Sequence, residues 1–376
     1  MLDHLILKLS LADGVGPVAI NRIVSRAGTH FAWSDIQAFC ITDWQTQGFS
    51  QRVAELLVRG LRDDSRLAHE LALIEQRGID WYTLLSPDYP KLLHGITVPP
   101  PVLYWRGTLR QTNDALAIVG SRAADGYGRR AIERMVPEFV AAGMTIVSGG
   151  ARGADSMAHE ATLRAGGTTW VVLGSGLQHL YPRENTKLFE RIVDRGGALI
   201  SAFAIEQQPA PGNFPVRNRI IAGLSRGCLV VQAAAKSGAL ITAHHALEQG
   251  RDVCAVPGQI DSRLSVGCHG LLQEGAKLVT CAGDLLAECG LSYCPARAAG
   301  IAAVTGAVMA DSDSHQPDPE PTTPEGRIAH LCRSPRSTQD LLAELDIPLG
   351  ELQRLLFELQ LAGSIRQDLG GCWEAN

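Results

Sequence analysis

Short apolar runs alternate with amphipathic stretches between about residues 67 and 290. Each run is apolar at consecutive positions and rich in valine, isoleucine or leucine, which is typical of strands buried on both faces. Most of the stretches between them carry apolar residues at helical spacing. This alternation predicts an α/β fold with a parallel, doubly wound sheet. The predicted strands are residues 115–119, 145–148, 168–173, 198–200, 228–231 and 253–256.

The first 66 residues have a different pattern, in which apolar positions follow only the helical period. They predict a small helical domain with helices near 3–11, 17–27, 34–40 and 50–60. Within it, Asp13-Gly14-Val15-Gly16-Pro17 has the form of a helix-hairpin-helix turn, whose free amides could hold a phosphate. An ordinary helix start with proline in its first turn explains the same residues equally well.

The C-terminal part predicts two further regions. Residues 291–322 are rich in alanine and then read DSDSHQPDPEPTTP, which predicts a flexible linker. Residues 323–376 give three helical stretches and a glycine-centred hairpin, the outline of a winged helix. Its third predicted helix carries Arg354 but also Glu351 and Glu358, a poor composition for a DNA groove. We therefore expect this domain to contact another protein or to have a regulatory role.

Composition limits the classes of function. The 376 residues are 45% hydrophobic and 19% charged, as in a soluble globular protein of two or three domains. The net charge of -5 means that any nucleic-acid site must be local. The 9 cysteines include no CxxC pair, which favours buried thiols in a reducing compartment. Without a secretory signal or an apolar run of membrane length, the sequence predicts a cytoplasmic protein with no membrane contact.

Glycine and basic residues follow several of the predicted strands. Ligands of doubly wound sheets bind beyond the carboxyl ends of the strands, so these loops are expected to meet at one rim. Each arginine alone is as easily a surface residue, but their convergence predicts an anion site. The candidates are Gly120, Ser121, Arg122, Phe214, Arg217, Asn218, Arg219, Lys236, Ser237 and Gly238, with Arg152 and Tyr181 as further candidates.

The spacing of these residues argues against a small cofactor. His179 takes the place of the third glycine in what would be a dinucleotide loop, and three alanines rather than a Walker A glycine precede Lys236. No metal cluster is apparent, and we predict no cofactor and no catalytic residue. Several separate pockets along a rim suit a polyanion, and single-stranded nucleic acid would stack on Phe214 or Tyr181. We expect Arg217 and Arg219 to contact phosphate and Arg226 to be structural.

The motifs between residues 118 and 279 resemble those of the DprA family, the DNA processing protein A family also called Smf. They are IVGSR, TIVSGGARGADSMAH, LYPRENTKLFERI, FPVRNRIIAGLS, KSGALITAHHALEQGRDV and VPGQIDS, in this order. The resemblance implies an extended Rossmann-like, mostly parallel core spanning residues 67–290 that forms a homodimer, between a helical N-terminal domain and a C-terminal winged helix. It also implies a non-catalytic protein that binds and protects single-stranded DNA during natural transformation and loads the RecA recombinase on it. Binding of double-stranded DNA stays open.

The resemblance assigns DNA contacts to Arg122, to the FPVRNR segment and to the Lys236 loop. Two positions depart from the family pattern, each by losing a carboxylate. Ala202 stands where Ser-Glu is usual, and Gln232 replaces the glutamate of VVEA. If those acids tune the arginines or contact a partner, that role is in doubt in this chain.

Two other classes of function are compatible with parts of the sequence. Nucleotide phosphoribohydrolases of the LOG type share the predicted fold but carry PGGxGTxxE, whereas this chain reads AAAKSGALITAHHA and its Glu248 lies too far along. A protein-binding adaptor with no DNA role is the other alternative, in which the basic rim would be incidental.

Overall fold

A computed structural model describes residues 2–290, 327–328, 331–332, 338–345, 347–361, 365–367 and 373–375. The chain divides into two compact units, one within residues 1–308 and the other within 309–376. The predicted linker over 291–322 lies outside the described residues. In the part of the chain that the structure describes, no helix is long and apolar enough to cross a membrane.

The first unit is built on a nine-stranded sheet. All of the predicted strands are confirmed, with ends that differ by no more than about two residues. The strands are β1 Asp80–Thr83, β2 Val102–Gly107, β3 Ala115–Val119, β4 Thr145–Ser148, β5 Thr169–Val172, β6 Ala198–Ser201, β7 Gly227–Val230, β8 Asp252–Ala255 and β9 Lys277–Leu278. Their order is β1-β2-β6-β5-β4-β3-β7-β8-β9, and only the pairings made by β2 are antiparallel.

Helices cover both faces of this sheet, which is why its strands are apolar at consecutive positions. In β3, Ala117 and Val119 face one layer of helices, whereas Leu116 and Ile118 face the other. The helices of this region are α6 Lys91–His94, α7 Gly126–Ala141, α8 Ala154–Arg164, α9 Thr186–Asp194, α10 Asn213–Gly223, α11 Gly238–Glu248, α12 Val266–Gln273 and α13 Ala282–Glu288. The first layer contains α10, α11 and α12, and the second contains α7, α8 and α13.

The order of the strands reverses between β3 and β7. From β3 the chain adds β4, β5 and β6 on one side, and α10 then returns it to place β7 against the other side of β3. Val119 and Val230 pair at the carboxyl ends of these two strands. The loops leaving β3 and β7 diverge to opposite sides, so a crevice opens between them at this switch point.

The N-terminal helices share a core with one side of the sheet. Leu5, Trp44 and Leu57 from these helices belong to the same apolar cluster as Tyr104 and Leu199 from the strands. One of the helices, Asp64–Arg77, crosses the predicted domain boundary at residue 66. The helices are α1 Leu2–Ser10, α2 Pro17–Arg26, α3 Ile41–Thr46, α4 Gln51–Arg62 and α5 Asp64–Arg77.

The predicted helix over 34–40 is wrong. Residues 33–38 form turns, and the helix begins only at Ile41. The Asp43 side chain accepts a hydrogen bond from the Cys40 amide at 2.8 Å, which fixes that start. Phe39 packs edge-on against Trp44 with ring centroids 5.0 Å apart. The apolar residues of this stretch therefore reach the core through turns rather than along a helix face.

The described residues of the second unit include two longer helices and a pair of strands. These elements are α14 Thr338–Leu345, α15 Leu349–Leu361, β10 Ile365–Gln367 and β11 Trp373–Ala375. The strands pair antiparallel, and Trp373 belongs to an apolar core with Leu341, Leu352 and Ile328. Arg354 and Glu358 form an exposed ion pair at 3.2 Å on α15. The assignment of a winged helix stays a prediction.

Candidate nucleic-acid interface

A pocket of about 740 Å³ opens at the switch point between β3 and β7. The loops after β3, β4 and β7 form its walls together with the first turns of α10 and α11. Most of the predicted residues line it, whereas Arg152, Arg219 and Lys236 do not. The predicted residues that line it are Gly120, Ser121, Arg122, Tyr181, Phe214, Arg217, Asn218, Ser237 and Gly238.

The loop after β3 turns tightly because Gly120 has no side chain. A Cβ atom on Gly120 would lie 2.7 Å from the Cβ of Ala154 and 3.1 Å from the carbonyl oxygen of Gln232. Ser121 completes the turn, since its amide donates to that same carbonyl at 2.6 Å and its hydroxyl accepts from the Ala123 amide at 3.1 Å. The amide and hydroxyl of Ser121 are therefore both hydrogen-bonded to the backbone. The next residue, Arg122, is exposed to solvent.

Arg122 is the accessible cation of the pocket. Its guanidinium carbon lies 5.8 Å from the centroid of the Phe214 ring, within reach of a cation-π interaction. Among the described residues, no carboxylate lies within ion-pair distance of Arg122. Its charge is thus available to an anion.

Arg217 lies in the floor of the pocket rather than at its mouth, with only 4% of its surface exposed. Its Nη1 donates to the carbonyl oxygens of Gly149, just beyond β4, and of Val172, the last residue of β5. A Cβ atom on Gly149 would meet this guanidinium and would lie 2.8 Å from Oδ2 of Asp155, so the glycine makes room for both charged groups. Arg217 therefore joins α10 to the carboxyl ends of two strands.

The charges of Arg217 and Asp155 stabilise each other inside the protein. Burial lowers the pKa of Arg217 to about 10, while the nearby Asp155 carboxylate opposes this shift. Burial also raises the pKa of Asp155, and the positive charge of Arg217 opposes that shift. The guanidinium remains charged at neutral pH. Sequence reasoning missed Asp155, because one aspartate near a helix start gives no sign that it is buried beside an arginine.

The structure does not bring Arg219 to the pocket. Two residues along a helix turn the side chain by about 200°, so Arg219 points away from the side that Arg217 occupies. It is half-buried on that far side, where burial lowers the pKa of its guanidinium and its charge acts on Tyr89. Lys236 is exposed in the loop that leads to Ser237. Arg226 pairs with Asp114 at 2.6 Å, in keeping with the structural role that we expected for it.

The first turn of α11 adds backbone donors to the pocket. Ser237 caps this helix, and its hydroxyl accepts from the Ala239 amide at 3.3 Å. The Asn218 amide donates to the carbonyl of Gly238 at 3.2 Å and ties α10 to this turn. The amides at a helix N-terminus carry partial positive charge, so this wall also favours an anion.

Two aromatic rings stand at the mouth of the pocket. The centroids of Phe214 and Tyr181 are 5.7 Å apart, and Tyr181 is 45% exposed. Phe214 rests on Gly174, where a Cβ atom would lie 2.8 Å from the ring. An exposed ring next to a basic group can stack a base while the arginine holds its phosphate.

Arg152 lines a smaller adjoining pocket of about 240 Å³. Arg122, Tyr181 and Phe214 line both pockets, which therefore adjoin each other. The guanidinium of Arg152 forms a two-pronged ion pair with the carboxylate of Glu184, whose second contact measures 2.8 Å.

The departures from the family pattern have a local explanation. The buried side chain of Gln232 accepts from the Asp125 amide at 3.1 Å and donates to the Asp125 carboxylate at 2.9 Å. A glutamate at 232 would face that carboxylate with no proton to donate. Ala202 packs against the apolar layer that contains α10. Neither residue lines the pocket, so the loss of their carboxylates leaves its wall unchanged.

The fold and pocket together define a class: a Rossmann-like α/β protein with basic and aromatic groups at the carboxyl edge of its sheet. Within that class, residues 80–290 match the family model described as DNA recombination-mediator protein A, and this range contains the whole pocket. The chain belongs to that family, whose members include the proteins named DprA and Smf. The resemblance drawn from the sequence motifs is thus confirmed.

Several relatives are similar to this chain over most of their length. Protein Smf of Synechocystis sp. is 33% identical over 389 residues, which cover 96% of each chain. The X-ray structure of DNA processing protein A from Streptococcus pneumoniae is 34% identical, with a TM-score of 0.66 over 78% of this chain and 99% of that one. The Helicobacter pylori protein is 27% identical, with a TM-score of 0.50 over 56% of this chain and 95% of its own. That structure is reported to reveal a unique single-stranded DNA binding mode.

Proposed function

We propose that this protein binds single-stranded DNA in the pocket between β3 and β7, with little preference for sequence. Acting as a homodimer in the cytoplasm, it protects incoming strands during natural transformation and loads the RecA recombinase on them without catalysing a reaction. Membership of the recombination-mediator family supports this proposal, as does the binding described for the Helicobacter relative.

The observation that carries the proposal is the position of Arg122. A guanidinium with no ion-pair partner among the described residues stands beside the exposed ring of Tyr181, the half-buried ring of Phe214 and the amides of a helix start. Phosphate contacts and ring stacking use groups that every nucleotide has, so binding through them tolerates any sequence.

The carboxylates of the pocket do not favour a nucleotide hydrolase. Among the described residues that line it, Asp155 is the only acid, and it is buried beside Arg217. Glu248 lies at the far end of α11, where its Oε2 is 3.1 Å from Nδ1 of His245. Among the described residues that line the pocket, none on α11 is therefore a carboxylate that could act as the glutamate of a LOG-type hydrolase.

A salt titration tests the DNA site. For single strands, the logarithm of the affinity falls by about 0.7 per phosphate contact for each unit of log salt concentration. We expect Arg122→Ala to weaken the binding of a labelled oligothymidine and to flatten this slope by about 0.7. Arg195→Ala removes an exposed arginine that follows α9, at the opposite edge of the sheet, and should change neither quantity. Equal binding by wild type and Arg122→Ala would contradict the assignment of the pocket.

The recombinase part of the proposal needs a separate assay. RecA filaments form on a strand coated by a single-stranded-DNA-binding protein only after a lag, which RecA-dependent ATP hydrolysis reports. We expect wild type to shorten this lag and Arg122→Ala to shorten it less. A lag that wild type leaves unchanged would contradict the loading function while leaving DNA binding intact.

A further inference from the structure

The ion pair between Arg152 and Glu184 lies at the edge of the proposed DNA site. We propose that Glu184 occupies the phosphate-binding face of Arg152 in the free protein, so that DNA must displace this carboxylate to use the arginine. The inference rests on the proposed function, because it concerns how firmly the same site holds a strand.

The geometry is that of a guanidinium bound to an oxyanion. Nε of Arg152 donates to Oε1 of Glu184, and Nη2 donates to Oε2 at 2.8 Å. A phosphate would receive the same two parallel hydrogen bonds, so the carboxylate and a DNA phosphate compete for one pair of donors. The side chains of Arg152 and Glu184 are 66% and 47% exposed, which leaves the pair open to exchange.

The loops that carry the two residues are held together independently of the ion pair. Asn185 follows Glu184 in a short 3₁₀ helix, and its amide donates to the carbonyl of Gly150 and to the hydroxyl of Ser156, both at 2.8 Å. The Ser156 hydroxyl in turn donates to the carbonyl of Ala151 at 2.6 Å. These contacts keep the backbone of Glu184 close to that of Arg152 whether or not the ion pair is formed.

Arg152 lies where a bound strand would continue past Arg122. Both arginines line the smaller pocket together with Tyr181 and Phe214, whereas Glu184 does not line it. The other charged side chain that lines this pocket is that of Arg217, which is buried. A strand anchored on Arg122 and the two rings therefore brings its next phosphate toward an arginine that an internal carboxylate already holds.

Removing only the charge of Glu184 tests this competition. Exposed ion pairs are worth about 0.2 to 1 kcal/mol, so Glu184→Gln should bind oligothymidine about 1.4- to fivefold more tightly. Glu190→Gln is the matched control, because Glu190 is 50% exposed and pairs with Arg106 at 2.7 Å. Arg106 pairs in register with Leu199 near the amino end of β6, so this control lies at the opposite edge of the sheet.

A double-mutant cycle with Arg152→Ala separates competition from a general effect of charge. If Glu184 acts by holding Arg152, Glu184→Gln gains nothing when Arg152 is alanine. An equal gain in both backgrounds would overturn the inference, and so would Glu184→Gln binding no more tightly than wild type. If wild type itself does not bind oligothymidine, the proposed function is what fails, and the wild-type curve shows this before any variant is compared.

Discussion

Arg217 carries its charge inside the protein, and the pocket is assembled around it. Its guanidinium is hydrogen-bonded to the backbone at the ends of β4 and β5, and Asp155 provides the counter-charge. Removing one member of a buried charged pair leaves the other member and its hydrogen-bonding partners unsatisfied in a medium of low polarity. In the proposed DNA site, Arg217 thus acts through the position of α10, which carries Phe214 and Asn218.

We expect Arg217→Ala to lower the free energy of unfolding by about 3 kcal/mol, the cost of leaving the buried Asp155 carboxylate without the positive charge near it. Arg217→Lys keeps the charge but replaces the planar fork by a single ammonium, so a smaller loss of about 1 to 2 kcal/mol is expected. Urea unfolding measures both. Arg122→Ala is the control, because this exposed residue should change the free energy of unfolding by less than about 0.5 kcal/mol.

The pair of alanine variants also separates two roles. Arg122→Ala should lose DNA affinity with full stability, whereas Arg217→Ala should lose stability. If Arg217→Ala unfolds like wild type and loses only DNA affinity, the guanidinium is a direct phosphate ligand, as its sequence position first indicated.

The types of residue in the site could be predicted from the sequence, but the directions in which their side chains point could not. Topology places whatever follows β3, β4 and β7 at one rim, so glycines and basic residues after predicted strands were sufficient to locate the pocket. Whether Arg217 faces solvent depends on the missing side chain of Gly149 and on the buried carboxylate of Asp155. These contacts join distant parts of the chain, so they cannot be predicted from the spacing of residues within one segment.

At the scale of the element, α8 is fixed to the sheet through a histidine. Nδ1 of His159 lies 2.7 Å from the hydroxyl of Thr169 in β5. That hydroxyl donates to the carbonyl of Ile146 in β4, also at 2.7 Å, so the proton between the imidazole and the threonine belongs to Nδ1. Burial, together with the positive charge of Arg217, lowers the pKa of His159 to about 3. The folded protein therefore holds this imidazole neutral.

The buried His159 on α8 should make the free energy of unfolding depend on pH. The unfolded chain takes up a proton on His159 near pH 6.5, whereas the folded chain does so only near pH 3. Stability from this group is present above about pH 6.5 and is lost as the pH falls toward 3, by about 1.4 kcal/mol per pH unit. His159→Asn retains a donor for Thr169 but cannot titrate. Urea unfolding between pH 7 and 4 should therefore show a shallower loss for the variant.

Other groups titrate in the same range, so the comparison rests on the difference between wild type and variant. The raised pKa of Asp155 acts in the opposite sense, removing stability as the pH rises, and it is present in both proteins. His30→Asn alters an exposed histidine and should follow the wild-type curve. Parallel pH curves for wild type and His159→Asn would show that the buried imidazole is not held neutral.

Helices and strands were predictable where burial alone determines the pattern of apolar residues. The parallel strands are buried on both faces, and continuous apolar runs revealed them with nearly correct ends. The strands β1 and β2 were not predicted, because they read DWYT and VLYWRG, aromatic-rich runs that pair antiparallel at the sheet edge. The helix over 34–40 was predicted from apolar residues that instead meet around Trp44 through turns. Tertiary contacts thus overrode the local period there.

At the scale of the molecule, positive charge is concentrated although the protein is acidic. The net charge is -5, yet residues 205–236 contain four basic side chains and only Glu206 as an acid. A local basic site binds a strand without drawing nucleic acid to the rest of the surface. All the residues that line the pocket lie between 119 and 242, within the first compact unit.

We therefore expect a chain of residues 1–290 to bind oligothymidine within about twofold of the full-length protein, because every contact proposed lies in that part.

Both proteins should bind duplex DNA of equal length about tenfold or more weakly. A duplex keeps its base faces stacked away from Phe214 and Tyr181, and stacking is worth about 1 to 3 kcal/mol per base. Gel shifts with both ligands and both proteins give all four affinities. Much weaker binding of oligothymidine by 1–290 would place part of the site beyond residue 290, and equal binding of duplex would mean that the rings do not stack on bases.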